Sequence, residues 1–109
     1  MKICITSSGD NLESQIDPRF GRCAYFIIWD DETNAFEAIA NPNIDVGSGA
    51  GIQSAQLVIE KKVSMVITGE VGPKAEKVLK EGRLQIITEA KGLVKDIVEK
   101  YGMGKVYSE

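Results

Sequence analysis

Apolar and polar positions along the chain switch between a period of two and a period near 3.6, and the switches mark out its elements. Residues 2-KICIT-6 are apolar and rich in β-branched side chains, which predicts a short strand. A second strand is predicted at 24-AYFIIW-29, apolar on both faces, and a weaker third at 35-AFEAIA-40. The polar run 30-DDETN-34 between them predicts a hairpin turn. In 50-AGIQSAQLVIEKK-62, Ile52, Ala55, Gln56 and Ile59 fall on one face at helical spacing. Two further strands are predicted at 63-VSMVIT-68 and 84-LQIIT-88. Between them, 73-PKAEKVLKE-81 opens with Pro73 and stops at Gly82, the asymmetry expected of a helix. A last helix is predicted over 91-KGLVKDIVEKYG-102, with Leu93, Val94, Ile97, Val98 and Tyr101 as its buried stripe. The tail 103-MGKVYSE-109 is expected to be loosely held.

The order is strand, hairpin, then helix–strand–helix–strand–helix. Strand–helix–strand crossovers pair strands in parallel with a right-handed connection and put helices on both faces of the sheet. The second strand runs antiparallel to its neighbours. The expected fold class is therefore α/β: a three-layer α/β/α domain around a mixed five-stranded sheet. With 109 residues, one domain covering 1–109 is expected.

This topology collects the irregular segments. The loops 7–23, 41–51, 69–73 and 88–91 all lie at the carboxyl ends of the parallel-directed strands, where open α/β sheets bind ligands. Three helix N-termini, near Gly51, Pro73 and Lys91, are expected at the same edge, each with unsatisfied N–H groups and partial positive charge. Arg19 and Arg22 lie on the bordering loop. Although the formal net charge is −3, this edge is expected to attract an anion.

Composition narrows the chemistry. There is no histidine, which removes Ser-His-Asp and Cys-His catalysis and histidine zinc ligands. Lys and Arg are scattered on an acidic chain, so no nucleic-acid partner is expected. No apolar run is long enough to span a bilayer and the N-terminus has no leader pattern, so no membrane association and a cytoplasmic location are expected. Cys4 and Cys23 are too few for a disulfide framework or for the four thiolates of an ordinary iron–sulfur site.

Several motifs admit two readings. In 47-GSGAGIQ-53 the position three after the second glycine is Ile52 or Ser54, depending on the starting glycine, so the dinucleotide fingerprint G-x-G-x-x-G fails. A flexible lead-in to a helix and a ligand-contacting turn both remain. In 17-DPRFGRCAYF-26 the arginines suit oxyanions, or they pair with Asp17 to brace the loop. Phe20 reads as the anchor of that loop. Cys23 reads as a small buried hydrophobe, or as a thiolate ligand for a thiophilic metal with its pKa lowered by nearby arginine. Cys4, mid-strand, reads as core. The carboxylates Asp30, Asp31 and Glu32 read as a solvated turn at the opposite edge. The turn 69-GEVGP-73 launches a helix and also allows close backbone approach to a ligand.

Taken together, DPRFGRCAYF, Asn41 followed by GAGIQSAQ, and VITGEVGPKAEKVL make the chain resemble the nitrogenase iron–molybdenum cofactor biosynthesis family, over nearly its whole length. The resemblance implies a ribonuclease-H-like fold and a non-catalytic binding or carrier role for an iron–sulfur or iron–molybdenum cluster precursor. It implies metal-cluster assembly or acceptor proteins as partners. By motif it maps Arg19, Gly21 and Arg22, then Gly49 and Gly51, then Gly69 and Gly72, onto the ligand-binding loops. Cys23 stands where alanine is usual, and a histidine that many members carry in the loop 41–48 is absent here. The competing expectation is a binding module for a phosphate-bearing small molecule or nucleotide at the same edge. An enzyme of nuclease type is not expected, because no core strand position carries a carboxylate.

Overall fold

The computed structural model describes residues 1–102, so the expectation for the tail 103–109 lies outside the described residues. In chain order the elements are β1 (Lys2–Ser7), β2 (Tyr25–Asp30), β3 (Ala35–Ala40), α1 (Ala50–Glu60), β4 (Met65–Ile67), α2 (Pro73–Glu81), β5 (Gln85–Ile87) and α3 (Val94–Ile97), which runs on into a π-helical turn, Val98–Gly102. The sheet order is β3-β2-β1-β4-β5. Central β1 pairs antiparallel with β2, placing Cys4 opposite Ile28, and parallel with β4, placing Cys4 opposite Val66. Only β2 runs against the rest, as the hairpin and crossovers require.

Alternation along β1 splits the core in two. Cys4 faces a cluster with Phe26, Ile28, Val66, Ala55, Val58 and Leu79, so α1 and α2 cover this side. Ile3 and Ile5 face Ile27, Trp29, Ile67, Val94, Ile97 and Val98, so α3 covers the other. The three-layer α/β/α architecture with a mixed sheet follows, and both faces of β1 and β4 are buried.

Two expectations are corrected. The buried face of α1 is Ala50, Ser54, Ala55 and Val58, while Ile52 is only half-buried and Gln56 is exposed. Both stripes satisfy a 3.6 period, and the one carrying Ala55 and Val58 is packed against Cys4, Phe26 and Val66 of the sheet. The last helix starts at Val94 instead of Lys91, because Gly92 adopts φ 104° and Leu93 is extended. Of its expected stripe, Val94, Ile97 and Val98 are buried, while Leu93 and Tyr101 are half-buried.

Candidate functional site

The long segment after β1 is fastened to the end of β4. The Asp17 N–H donates to the Thr6 carbonyl at 3.0 Å, and the Thr6 hydroxyl lies 2.7 Å from both the Asp17 carbonyl oxygen and the Thr68 hydroxyl. Glu70 donates its N–H to the Pro18 carbonyl at 2.8 Å, and Phe20 donates to the Glu70 carbonyl at 3.1 Å. This parallel bridge leaves no space at Gly69, where a β-carbon would lie 2.6 Å from the Pro18 carbonyl oxygen. Phe20 then inserts into the core beside Phe26, with ring centroids 5.9 Å apart.

A second loop, between β3 and α1, closes against the first. The amide of buried Asn41 donates to the Gly21 carbonyl at 3.0 Å and to the Cys23 carbonyl at 2.9 Å, and its Oδ1 accepts from the Asn43 N–H at 2.8 Å. From the facing side, the Arg22 guanidinium donates to the carbonyls of Ile44, Val46 and Gly47.

Between these loops and the two helices lies a cavity of about 390 Å³. Phe20 and Arg22 line it from the first loop, Gly49–Ile52 from the entry of α1, and Gly72–Ala75 from the entry of α2. Neither helix has a side-chain N-cap, and Gly49 and Gly72 stand at the two cap positions. The N–H groups of Ala50, Gly51, Ile52, Lys74 and Ala75 meet no acceptor among the described residues. Pro73, at the first position of α2, has no N–H to offer. Arg22 and Lys74 add two cations, and no carboxylate lines the cavity. Two helix dipoles, two cations and the apolar walls Phe20, Ile52, Pro73 and Ala75 thus share one concavity.

Of the expected site residues, Arg22, Gly49, Gly51 and Gly72 line this cavity. Arg19 lies in a neighbouring concavity of about 410 Å³ with Glu70 and Val71; Phe20, Arg22 and Gly72 belong to both. Its side chain is 59% exposed, and Nε sits 3.5 Å from Asp17 Oδ1. Gly21 and Gly69 line neither concavity; they are places where the backbone of one segment touches that of another. The third expected helix N-terminus is occupied: the Val94 and Lys95 N–H groups donate to the Ser14 and Leu12 carbonyls at 2.9 and 2.8 Å. Of the three helix N-termini expected at this edge, those of α1 and α2 keep N–H groups without acceptors among the described residues.

Cys23 is fully buried in the core with Cys4. Burial pushes its thiol up to about 12, with the charge of Asp17 adding to the shift; the opposing effect of Arg19 is the smallest contribution, so the expected lowering by arginine is overturned. No group of three or more Cys, Asp or Glu among the described residues is placed to hold a metal ion. Sequence reasoning passed over Lys74 and Asn41 as site-builders. The signal for Lys74 was a cation in the first turn of a helix, where it opposes the dipole.

The chain matches the protein-family model described as dinitrogenase iron-molybdenum cofactor over residues 1–104. It belongs to that family. Among solved structures of similar fold, the apo form of the orange protein from Desulfovibrio gigas aligns with a TM-score of 0.88 and 34% identity, over 95% of this chain and 88% of that one. A NifB-like protein of the DUF35 family from Thermotoga aligns with a TM-score of 0.80 and 30% identity, over 93% and 86% of the two chains. An uncharacterized protein of Methanocaldococcus jannaschii is 34% identical over 71 residues, 62% of this chain. The matched region spans 60% of that relative's length. These likenesses agree with the layered architecture derived from the residues. No helix among the described residues is long and apolar enough to cross a membrane.

Proposed function

We propose that this member of the dinitrogenase iron-molybdenum cofactor family is a non-catalytic, single-domain binding or carrier protein for an iron–sulfur or iron–molybdenum cluster precursor. The observation that carries the reading is the cavity at the entries of α1 and α2, where five N–H groups without acceptors among the described residues, Arg22 and Lys74 face a space with no carboxylate. Such a precursor, with sulfide or organic-acid ligands, is an anion. Backbone N–H groups and cations receive its outer atoms without bonding the metal. The absence of thiolate, imidazole and carboxylate from the lining fits an outer-sphere hold and excludes direct ligation by the cavity's own side chains. In this reading Cys23 packs and does not ligate. A hold of this kind releases its cargo without breaking metal–protein bonds, as a carrier requires.

The Desulfovibrio gigas relative is named for its colour and was solved in an apo form, which supports a coloured, removable group in this chain too. The family description supports cluster-assembly or acceptor proteins as partners. Strands β1, β4 and β5, with the sequences KICITS, MVI and QII, carry no carboxylate, which supports binding without hydrolytic chemistry.

Anaerobic reconstitution with iron and sulfide, followed by metal analysis, tests the proposal in the wild type, Cys23→Ser and the double variant Arg22→Met, Lys74→Gln. Wild type and Cys23→Ser are expected to take up colour and iron equally, and the double variant neither. No uptake in any of them, with saturable thermal stabilisation by nucleotides or pyrophosphate instead, would transfer the site to a phosphate-bearing small molecule.

A further inference from the structure

The loop after β3 has a fixed base and a tip held by one side chain. Asn41 and Asn43 are buried; Asn41 bonds the first loop, and the Asn43 amide lies 3.4 Å from the Ser54 hydroxyl of α1. Beyond Asn43, residues 44–48 have one internal backbone bond, from the Val46 N–H to the Asn43 carbonyl at 3.1 Å. Their other hydrogen bonds among the described residues come from Arg22: Nη1 to the carbonyls of Ile44, at 3.1 Å, and Val46, and Nη2 to that of Gly47 at 3.3 Å. A β-carbon on Gly47 or Gly49 would meet nothing within 4 Å, and Gly49 has φ 80°, so the tip has free space and a pivot at its end. The same guanidinium lines the cavity.

We infer that Arg22 is a latch that couples occupancy of the cavity to the order of residues 44–48. This rests on the anion-binding reading above. Three of the five N–H donors of the fork hold the tip. An anion at the α1 and α2 entries draws the fork toward itself, because a hydrogen bond to a charged acceptor is roughly twice as strong as one to a neutral carbonyl. The tip is then released, and half-buried Val46 joins Ile44, already 42% exposed, in a contact surface that is complete only in the loaded protein. An acceptor protein thereby distinguishes a loaded carrier from an empty one, and Arg22 acts as a positioning residue for the loop as well as a ligand donor.

The readout is the rate of cleavage at Asp45 by an aspartate-specific endoproteinase, with cleavage at Asp96 in α3 as the control for global unfolding. Lysine keeps the charge but donates from a single nitrogen and does not span three carbonyls. In the absence of any anion, Arg22→Lys is therefore expected to raise cleavage at Asp45 by about tenfold or more, and Asp96 to stay protected. Wild type carrying pyrophosphate, or reconstituted anaerobically with iron and sulfide, is expected to show the same rise. An unchanged rate in Arg22→Lys overturns the latch whatever binds. Thermal stabilisation by either anion source without faster cleavage at Asp45 overturns the latch and leaves the binding reading standing. No stabilisation by either source removes both.

Discussion

Gly21 and Gly51 meet backbone to backbone: a β-carbon on Gly21 would stand 2.9 Å from the Gly51 Cα and 3.2 Å from its nitrogen. Gly51 in turn would bring a β-carbon to 3.1 Å from that of Ala75. The first loop, the entry of α1 and the entry of α2 are thus stacked through three of the smallest residues, and this stacking is what brings two helix N-termini to one cavity. Gly21 also holds φ 95°, which an L side chain rarely adopts. Gly21→Ala therefore meets both strain and a backbone clash and is expected to cost at least about 2 kcal/mol. Gly49→Ala, with φ 80° but open space, is expected to cost about 1–2 kcal/mol. Urea midpoints of the two variants check the ranking.

Asn41 carries two loops on one amide. Asn41→Leu leaves the Gly21 and Cys23 carbonyls without that donor in a buried setting and is expected to destabilise by about 2–3 kcal/mol. It is also expected to abolish cluster uptake at temperatures where the fold survives. Denaturant titration beside metal analysis separates the two effects, and full uptake in a destabilised protein would show that the loops reach the site without it.

Lys74 is placed against its own helix. A cation in the first turn opposes the dipole, so Lys74→Gln is expected to stabilise the unloaded protein by about 0.3–1 kcal/mol while weakening anion binding several-fold. Opposite signs on the two measurements, thermal midpoint and binding isotherm, mark a residue kept for a ligand. Binding by the wild type is likewise expected to weaken as ionic strength rises.

The two thiols are buried in the core. Burial raises Cys23 from its ordinary value of 9.0 to about 12 and raises Cys4 in the same direction. A raised folded-state value means that the unfolded chain loses its protons first. The stability contributed by the neutral thiols is therefore complete below about pH 9 and declines as the pH climbs from 9 toward 12. Cys23→Ala is expected to have a shallower fall in stability than wild type between pH 9 and 10, read from urea midpoints. At pH 8, iodoacetamide is expected to alkylate neither cysteine until denaturant is added.

Much of the layer plan was legible because the signals are local. Pro73 and Gly82 bracket α2, and the apolar stripe of α3 matches its period. The hairpin and the crossovers leave β2 as the one reversed strand. The third helix entry was misplaced because the turn into it is shaped by bonds to a segment some eighty residues away in sequence: Ile16 donates to the Gly92 carbonyl, and Val94 and Lys95 donate to those of Ser14 and Leu12. Of the two readings of Cys23, the small buried hydrophobe is what the fold makes of it, and the lowering of its pKa by arginine failed for a similar reason. Proximity to arginine along the chain says nothing of burial, and here desolvation outweighs the charge.

By itself the sequence determined that this protein is a layered α/β domain with its irregular, glycine-rich loops at one edge and no histidine chemistry, because residue types and their periods act over a few positions. Only the tertiary structure decided which glycines open onto a cavity and which face another backbone. Gly49 and Gly72 open onto the cavity, whereas Gly21 and Gly69 are filled by Gly51 and Pro18. It also decided that Arg22 spends three donors on the carbonyls of Ile44, Val46 and Gly47. Those outcomes depend on contacts between segments distant in the chain, and steric exclusion and desolvation act on distance in space.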